Sequence, residues 1–117
     1  MWRNSRENSM EEFNVLLGKN IELVEKISCK IESGEPYMES LRIYLPSLNQ
    51  MVTTIINMVQ VPEISLELNQ AFVLQVLQDI LYGIENEDSV FLLDVLRYGL
   101  LEIYHYVETE LQSEGIS

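Results

Sequence analysis

The chain has 117 residues, of which 47% are apolar, 7 are basic and 19 are acidic, giving a formal net charge of -12 at pH 7. This length and apolar content are typical of one domain with one hydrophobic core, and they exclude a chain that is disordered throughout. The scarcity of lysine and arginine argues against a nucleic-acid binder and against attachment to an anionic membrane surface.

Turn-forming residues divide the chain into four segments with helical periodicity, and they lie at 33–36, 61–63 and 85–88. The first segment carries one apolar stripe from Phe13 to Ile31 and is expected to be an outer helix. The second carries a broader apolar arc from Leu41 to Val59 that includes Tyr44. Pro46 lies inside this arc and predicts either a kink or a helix that ends and restarts.

The third segment has apolar residues from Phe72 to Ile84 on one face, with Ser65 as the predicted N-cap and Gly83 as a termination signal. The fourth segment is expected to begin after Asp88 or Ser89. Its apolar seam consists of Leu93, Leu96, Leu100, Ile103 and Val107.

The first half of this fourth helix is also apolar on the opposite side, where Phe91, Val95 and Tyr98 lie. Two interpretations follow. The helix is central in the protein and buried all round, or these three side chains contact a second chain.

Short connections favour antiparallel neighbours, so the sequence predicts an all-α fold, an antiparallel four-helix bundle with up-down-up-down topology. We expect a single domain over residues 1–117, with residues 1–7 and 112–117 frayed. The single cysteine, Cys29, permits no internal disulfide and is typical of the reducing cytoplasm. We expect no signal peptide and no membrane-spanning segment, because charged residues interrupt the apolar stretches.

The negative charge is unevenly distributed. Residues 1–30 contain five basic and five acidic residues, whereas residues 31–117 contain two basic and 14 acidic residues. One interpretation is solubility through self-repulsion. The other is steering of a basic partner toward the last two helices.

Few residues suggest chemistry. Glu102 and His105 form a Glu-x-x-His pattern, but a di-iron bundle needs two such motifs and the chain has one histidine. The five glycines form no phosphate-binding motif, and no residue pattern marks a nucleophile. We therefore expect neither catalysis nor a metal or other cofactor.

The six tyrosines are numerous for this length. They are expected either at the rim of the core or at an interface, where tyrosine often dominates binding. The candidate interface residues are Phe91, Val95, Tyr98, Tyr104 and Tyr106.

Residues 86–101 begin with Asn-Glu-Asp, continue with an apolar run and an aspartate, and end in Leu-Arg-Tyr-Gly-Leu-Leu. This stretch resembles a family of small, uncharacterised all-helical proteins from Firmicutes. Ser33-Gly34-Glu35 and Leu45-Pro46 look like that family's first turn and second helix, whereas Arg97 and Gly99 stand where the family usually has acids. The resemblance implies a helical fold and a bacterial cytoplasmic protein, and it implies no activity.

The leading hypothesis is a non-enzymatic cytoplasmic protein-protein interaction module, whose partner is another protein or a second copy in a homodimer. One alternative is an export-type chaperone that shields an amphipathic helix of a flagellar or secreted client. The other is a bundle that binds a small ligand or a metal.

Overall fold

The computed structural model describes residues 2–64 and 66–113, and side chains are described for residues 10–64 and 66–112. Within these residues the elements are α1 (Trp2–Ser33), α2 (Met38–Val59), a 3-10 turn (Pro62–Ile64), α3 (Gln70–Glu85), α4 (Ser89–Val95), a π-helical turn (Leu96–Leu100) and α5 (Leu101–Ser113). The last three follow one another without a break and are called the C-terminal segment. The described chain thus contains four helical rods and no strand, which confirms the all-α class.

The four rods surround one apolar core. Helix α1 packs against α2 and against the C-terminal segment, and α3 packs against α2 and α4. The longest dimension, 48 Å, matches the length of the 32-residue helix α1 at about 1.5 Å per residue. The largest fully buried side chains come from all four rods and include Leu17, Leu48, Ile55, Ile80, Leu100 and Tyr104.

Helix α2 is continuous from Met38 to Val59, with Pro46 inside it. The predicted alternative of a helix that ends and restarts at Pro46 is therefore wrong. The proline is exposed, whereas Tyr44 and Leu48 on either side of it are buried. Packing of this buried face holds the helix together across the missing backbone donor.

Helix α3 begins later than the sequence predicts. The predicted N-cap, Ser65, lies outside the described residues, and residues 66–69 are not helical. Asn69 is the N-cap, because its side-chain oxygen accepts hydrogen bonds from the backbone N–H groups of Ala71 and Phe72. Leu66, in the connection before it, is buried in the core.

The π-helical turn changes which side chains of the C-terminal segment are buried. The backbone N–H of Leu101 donates to the carbonyl of Leu96, five residues earlier, so this turn holds one more residue than an α-helical turn. Side chains after it are displaced by roughly 100° from their regular positions. Tyr104 is fully buried, as are Leu100 and Val107 of the predicted seam. At the start of the segment Leu92 is fully buried and Leu93 only half-buried.

A chain of polar side chains crosses the core. The Tyr44 hydroxyl donates to Asn20 Oδ1 at 2.6 Å, and Asn20 Nδ2 donates to the carbonyl of Leu16 at 2.8 Å. The Tyr104 hydroxyl lies 2.8 Å from that of Tyr44. Because the single Tyr44 proton is directed to Asn20, Tyr104 is the donor in this last bond. The network connects α1, α2 and α5.

None of the helices in the described residues is long and apolar enough to cross a bilayer.

Candidate interaction surface

The start of α4 is fixed by a side-chain cap. Asp88 Oδ1 accepts the backbone N–H of Phe91 at 3.0 Å, which confirms the predicted N-cap. Glu87, just before it, has φ 49°, a left-handed conformation that reverses the chain between α3 and α4. This tight connection places the end of α3 beside the start of α4.

Gly83 allows the two helices to approach closely. A Cβ atom at this position would lie 2.7 Å from Cγ and Cδ2 of Leu92 and 3.3 Å from Cδ2 of Phe91. Helix α3 continues past the glycine to Glu85, so Gly83 does not terminate the helix as the sequence suggested. The absence of a side chain at Gly83 leaves room for the side chains of α4.

The close approach also creates an aromatic pair. The rings of Tyr82 and Phe91 meet edge to face, with centroids 5.7 Å apart and planes 80° apart. This is a favourable geometry for two aromatic rings. Phe91 packs against the core with part of its ring, and Tyr82 is exposed. The pair therefore joins the core to the surface.

Large apolar side chains are exposed around this pair. Val90 is 80% exposed and Tyr98 is 70% exposed. A shallow depression of about 460 Å³ lies on this side of α4, lined by Asp88, Val90, Phe91, Leu93, Asp94, Arg97 and Tyr98. We call the residues Tyr82, Asp88, Val90, Phe91, Leu93, Asp94 and Tyr98 the acidic-aromatic surface.

The surface carries negative charge. Arg97, at its edge, donates two hydrogen bonds to the carboxylate of Glu32, at 2.8 and 3.0 Å. This pairing lowers the pKa of Glu32 and raises that of Arg97, so both groups stay charged and the arginine is already matched by an acid. The negative charges of Glu87 and Asp88 also act on the phenol of Tyr37. Burial is the main cause that raises the pKa of this tyrosine, and the two nearby charges raise it further.

The structure separates the five candidate interface residues. Phe91 and Tyr98 line the same depression. Val95 is buried in the core, and Tyr104 is completely buried, so neither side chain is available to a partner in this conformation. The hydroxyl of Tyr106 accepts the backbone N–H of Glu67 at 2.8 Å and so holds the connection between α2 and α3.

Five of the seven residues of the surface were not among the candidate interface residues. Two of these five, Val90 and Tyr82, are exposed apolar or aromatic side chains. Val90 follows the helix start and belongs to neither predicted stripe, and Tyr82 lies on α3. The sequence did contain a signal for Val90. An apolar residue two positions after an N-cap lies on the first turn of the helix, before most of the contacts that the helix makes with its neighbours. Only the tertiary contact with Phe91 reveals Tyr82.

The side chains that could suggest chemistry lie at the surface. His105 is exposed, with Nδ1 3.7 Å from Glu108 Oε1, and Glu102 is also exposed. Cys29 is free and exposed, and it lines a separate open depression with His105. Among the described residues, no group of three or more His, Cys, Asp or Glu side chains is placed to hold a metal ion.

Comparison with protein-family models, with curated proteins and with solved structures finds no match to this chain. The family resemblance of residues 86–101 stays a prediction. The geometry of the surface is what indicates a function.

Proposed function

We propose that the protein is a non-enzymatic interaction module that binds a basic, partly apolar segment of another protein through the acidic-aromatic surface. The observation that carries the proposal is the exposure of Val90 and Tyr98 beside the Tyr82–Phe91 pair. Clustered exposed apolar side chains mark interaction sites, and tyrosine is enriched among the residues that dominate binding energy.

The charge of the surface favours a basic partner. Asp88 and Asp94 line the depression, and Arg97, the one cation among its described lining residues, is paired with Glu32. A partner with lysine or arginine around an apolar centre would complement this pattern and be steered toward it. A second copy of the chain is less suitable, because a two-fold contact would bring two identical acidic rims together.

The arrangement of the rods supports this use of the surface. We propose an antiparallel up-down-up-down bundle, because neighbouring rods are joined by short connections and α1 packs against the C-terminal segment. Residues of α3 and α4 then meet at one end of the molecule.

We propose a cytoplasmic location because the chain has a single free cysteine.

Photo-crosslinking tests the site and the partner together. A benzophenone amino acid replaces Tyr98 in one variant and Ile43 in the matched control, since both side chains are about equally exposed and lie on different helices. In the native host, a basic protein should be captured at position 98 and absent at position 43. Capture of only a second copy of the chain, or equal capture at both positions, would contradict the proposal.

The captured partner is then bound in vitro. Val90→Lys should weaken binding by about tenfold or more, because it removes apolar contact area and places a positive charge against a basic partner. Ile43→Lys, the matched control, should bind as the unmodified protein does. Binding should also weaken with increasing salt. Salt-independent binding would rule out the electrostatic part of the proposal.

A further inference from the structure

A second surface feature lies between α1 and α2. It is a groove of about 300 Å³, half enclosed by the two helices, which we call the α1–α2 groove. Its lining residues are Leu23, Lys26, Ile27 and Lys30 of α1 and Ser40, Ile43, Tyr44 and Ser47 of α2. None of them belongs to the acidic-aromatic surface.

The groove combines an apolar floor with polar donors at its wall. Ile27 and Tyr44 are buried, whereas Ile43 is 71% exposed and forms part of the mouth. The Lys30 ammonium group donates to Ser40 Oγ at 3.0 Å across the groove. This bond holds a cation against the wall, next to apolar side chains.

The local charge is opposite to that of the whole protein. Two of the seven basic residues line the groove, and none of the lining residues that the structure describes is acidic, although the chain has 19 acids. A negatively charged group would be repelled by most of the molecule and attracted here. The groove therefore selects for anions with an apolar part.

The size of the groove limits what can occupy it. The lining residues span eight positions on each helix, a rise of roughly 10 Å at 1.5 Å per residue. The volume of about 300 Å³ is at the lower limit for small-molecule sites. An α-helix with side chains, whose diameter is roughly 10 Å or more, would occupy more than twice this volume over the same length. The groove therefore suits a small molecule with a single alkyl chain.

We propose that the α1–α2 groove binds a single-chain aliphatic carboxylate. The carboxylate pairs with Lys26 and Lys30 and accepts a hydrogen bond from the hydroxyl group of Ser40. The alkyl chain lies against the apolar floor and the exposed side chain of Ile43. This site is separate from the proposed protein-binding surface and does not depend on it.

Decanoate is the probe, used below the concentration at which it forms micelles, and decyltrimethylammonium is the control with the same chain and the opposite charge. Nuclear magnetic resonance follows the backbone amides of Ser40 and Ser47. Decanoate should shift both amides saturably, and the cation should not. Because the protein has a net charge of -12, non-specific attraction would favour the cation, and that result would overturn the proposal.

Variants identify the contacts. Replacing both Lys26 and Lys30 by glutamine should weaken decanoate binding by about tenfold or more, since ionic hydrogen bonds are lost. Lys19 is an exposed lysine of the same helix outside the groove, and Lys19→Gln should bind decanoate normally.

Ile43→Asp should abolish decanoate binding, whereas Val90→Asp should not. Unchanged binding in the double lysine variant, or an equal loss in Lys19→Gln, would disprove the assignment. Circular dichroism confirms that each variant is folded.

Discussion

The hydroxyl groups of Tyr44 and Tyr104 lie 2.8 Å apart in the core and join α2 to α5. Tyr44 is the central member of the network, because its hydroxyl also donates to Asn20 Oδ1. Tyr104 is a terminal member and donates only to Tyr44. The two phenols therefore differ in what their removal leaves behind, although both rings are buried.

Tyr44→Phe should destabilise the protein more than Tyr104→Phe. Loss of the Tyr44 hydroxyl leaves Asn20 Oδ1 and the Tyr104 hydroxyl without their partners, which costs about 1–3 kcal/mol for each unsatisfied buried group. Tyr104→Phe preserves the bond between Tyr44 and Asn20. Urea unfolding followed by circular dichroism measures the difference, with Tyr98→Phe as the exposed control. Equal destabilisation by the two core variants would show that the network is not organised around Tyr44.

The same phenols should make the protein less stable at alkaline pH. Burial raises the pKa of Tyr44 to about 12 and also raises that of Tyr104. In the unfolded chain both ionise near their ordinary pKa of about 10, so above that pH the native state holds more protons than the unfolded state. The contribution of these two phenols to the free energy of unfolding should therefore be complete below pH ~10. It should be lost as the pH rises through the native-state pKa values.

Near-ultraviolet absorbance and urea unfolding, measured over the same pH range, test this expectation. Two tyrosines should ionise only as the protein unfolds, and the double variant of Tyr44 and Tyr104 to phenylalanine should show a smaller loss of stability with pH. Ionisation of every tyrosine near its ordinary pKa, in a protein that stays folded, would contradict buried phenols.

Two glycines in helices should respond to alanine in opposite directions. Gly83→Ala places a Cβ atom 2.7 Å from the fully buried side chain of Leu92, so either that side chain or the two helices must shift and the protein should lose stability. A Cβ atom at Gly18 of α1 meets nothing within 4 Å. Gly18→Ala should stabilise by about 0.5–1 kcal/mol, because alanine favours the helix. Thermal unfolding distinguishes the two, and stabilisation by both substitutions would disprove the close contact at Gly83.

Neighbouring positions of the π-helical turn should differ sharply in their contribution to stability. Leu100→Ala removes a completely buried side chain and should cost about 2–5 kcal/mol. Tyr98→Ala changes an exposed side chain and should alter stability by less than about 0.5 kcal/mol. Chemical denaturation of both variants is the measurement. A large loss from Tyr98→Ala would place that ring in the core and remove it from the proposed binding surface.

The helical class and much of the core follow from the spacing of apolar residues along the chain. Apolar spacing identified all four rods, and Leu41, Leu48, Val52 and Ile55 are buried as predicted. The N-cap at Asp88 was also identifiable, because a short polar side chain before an apolar run satisfies the first backbone donors of a helix. These features depend on residues close together in the chain.

Which aromatic residues are free to bind depends on how the helices pack against one another. The regular period of the predicted seam is interrupted by the π-helical turn, so the burial of Leu92 and Val95 ahead of that turn, in place of Leu93, could not be predicted from the spacing. The pairing of Tyr82 with Phe91 depends on the approach of α3 and α4 at Gly83. Contacts between residues far apart in the chain are determined by how the rods pack, and a pattern within one helix does not contain that information.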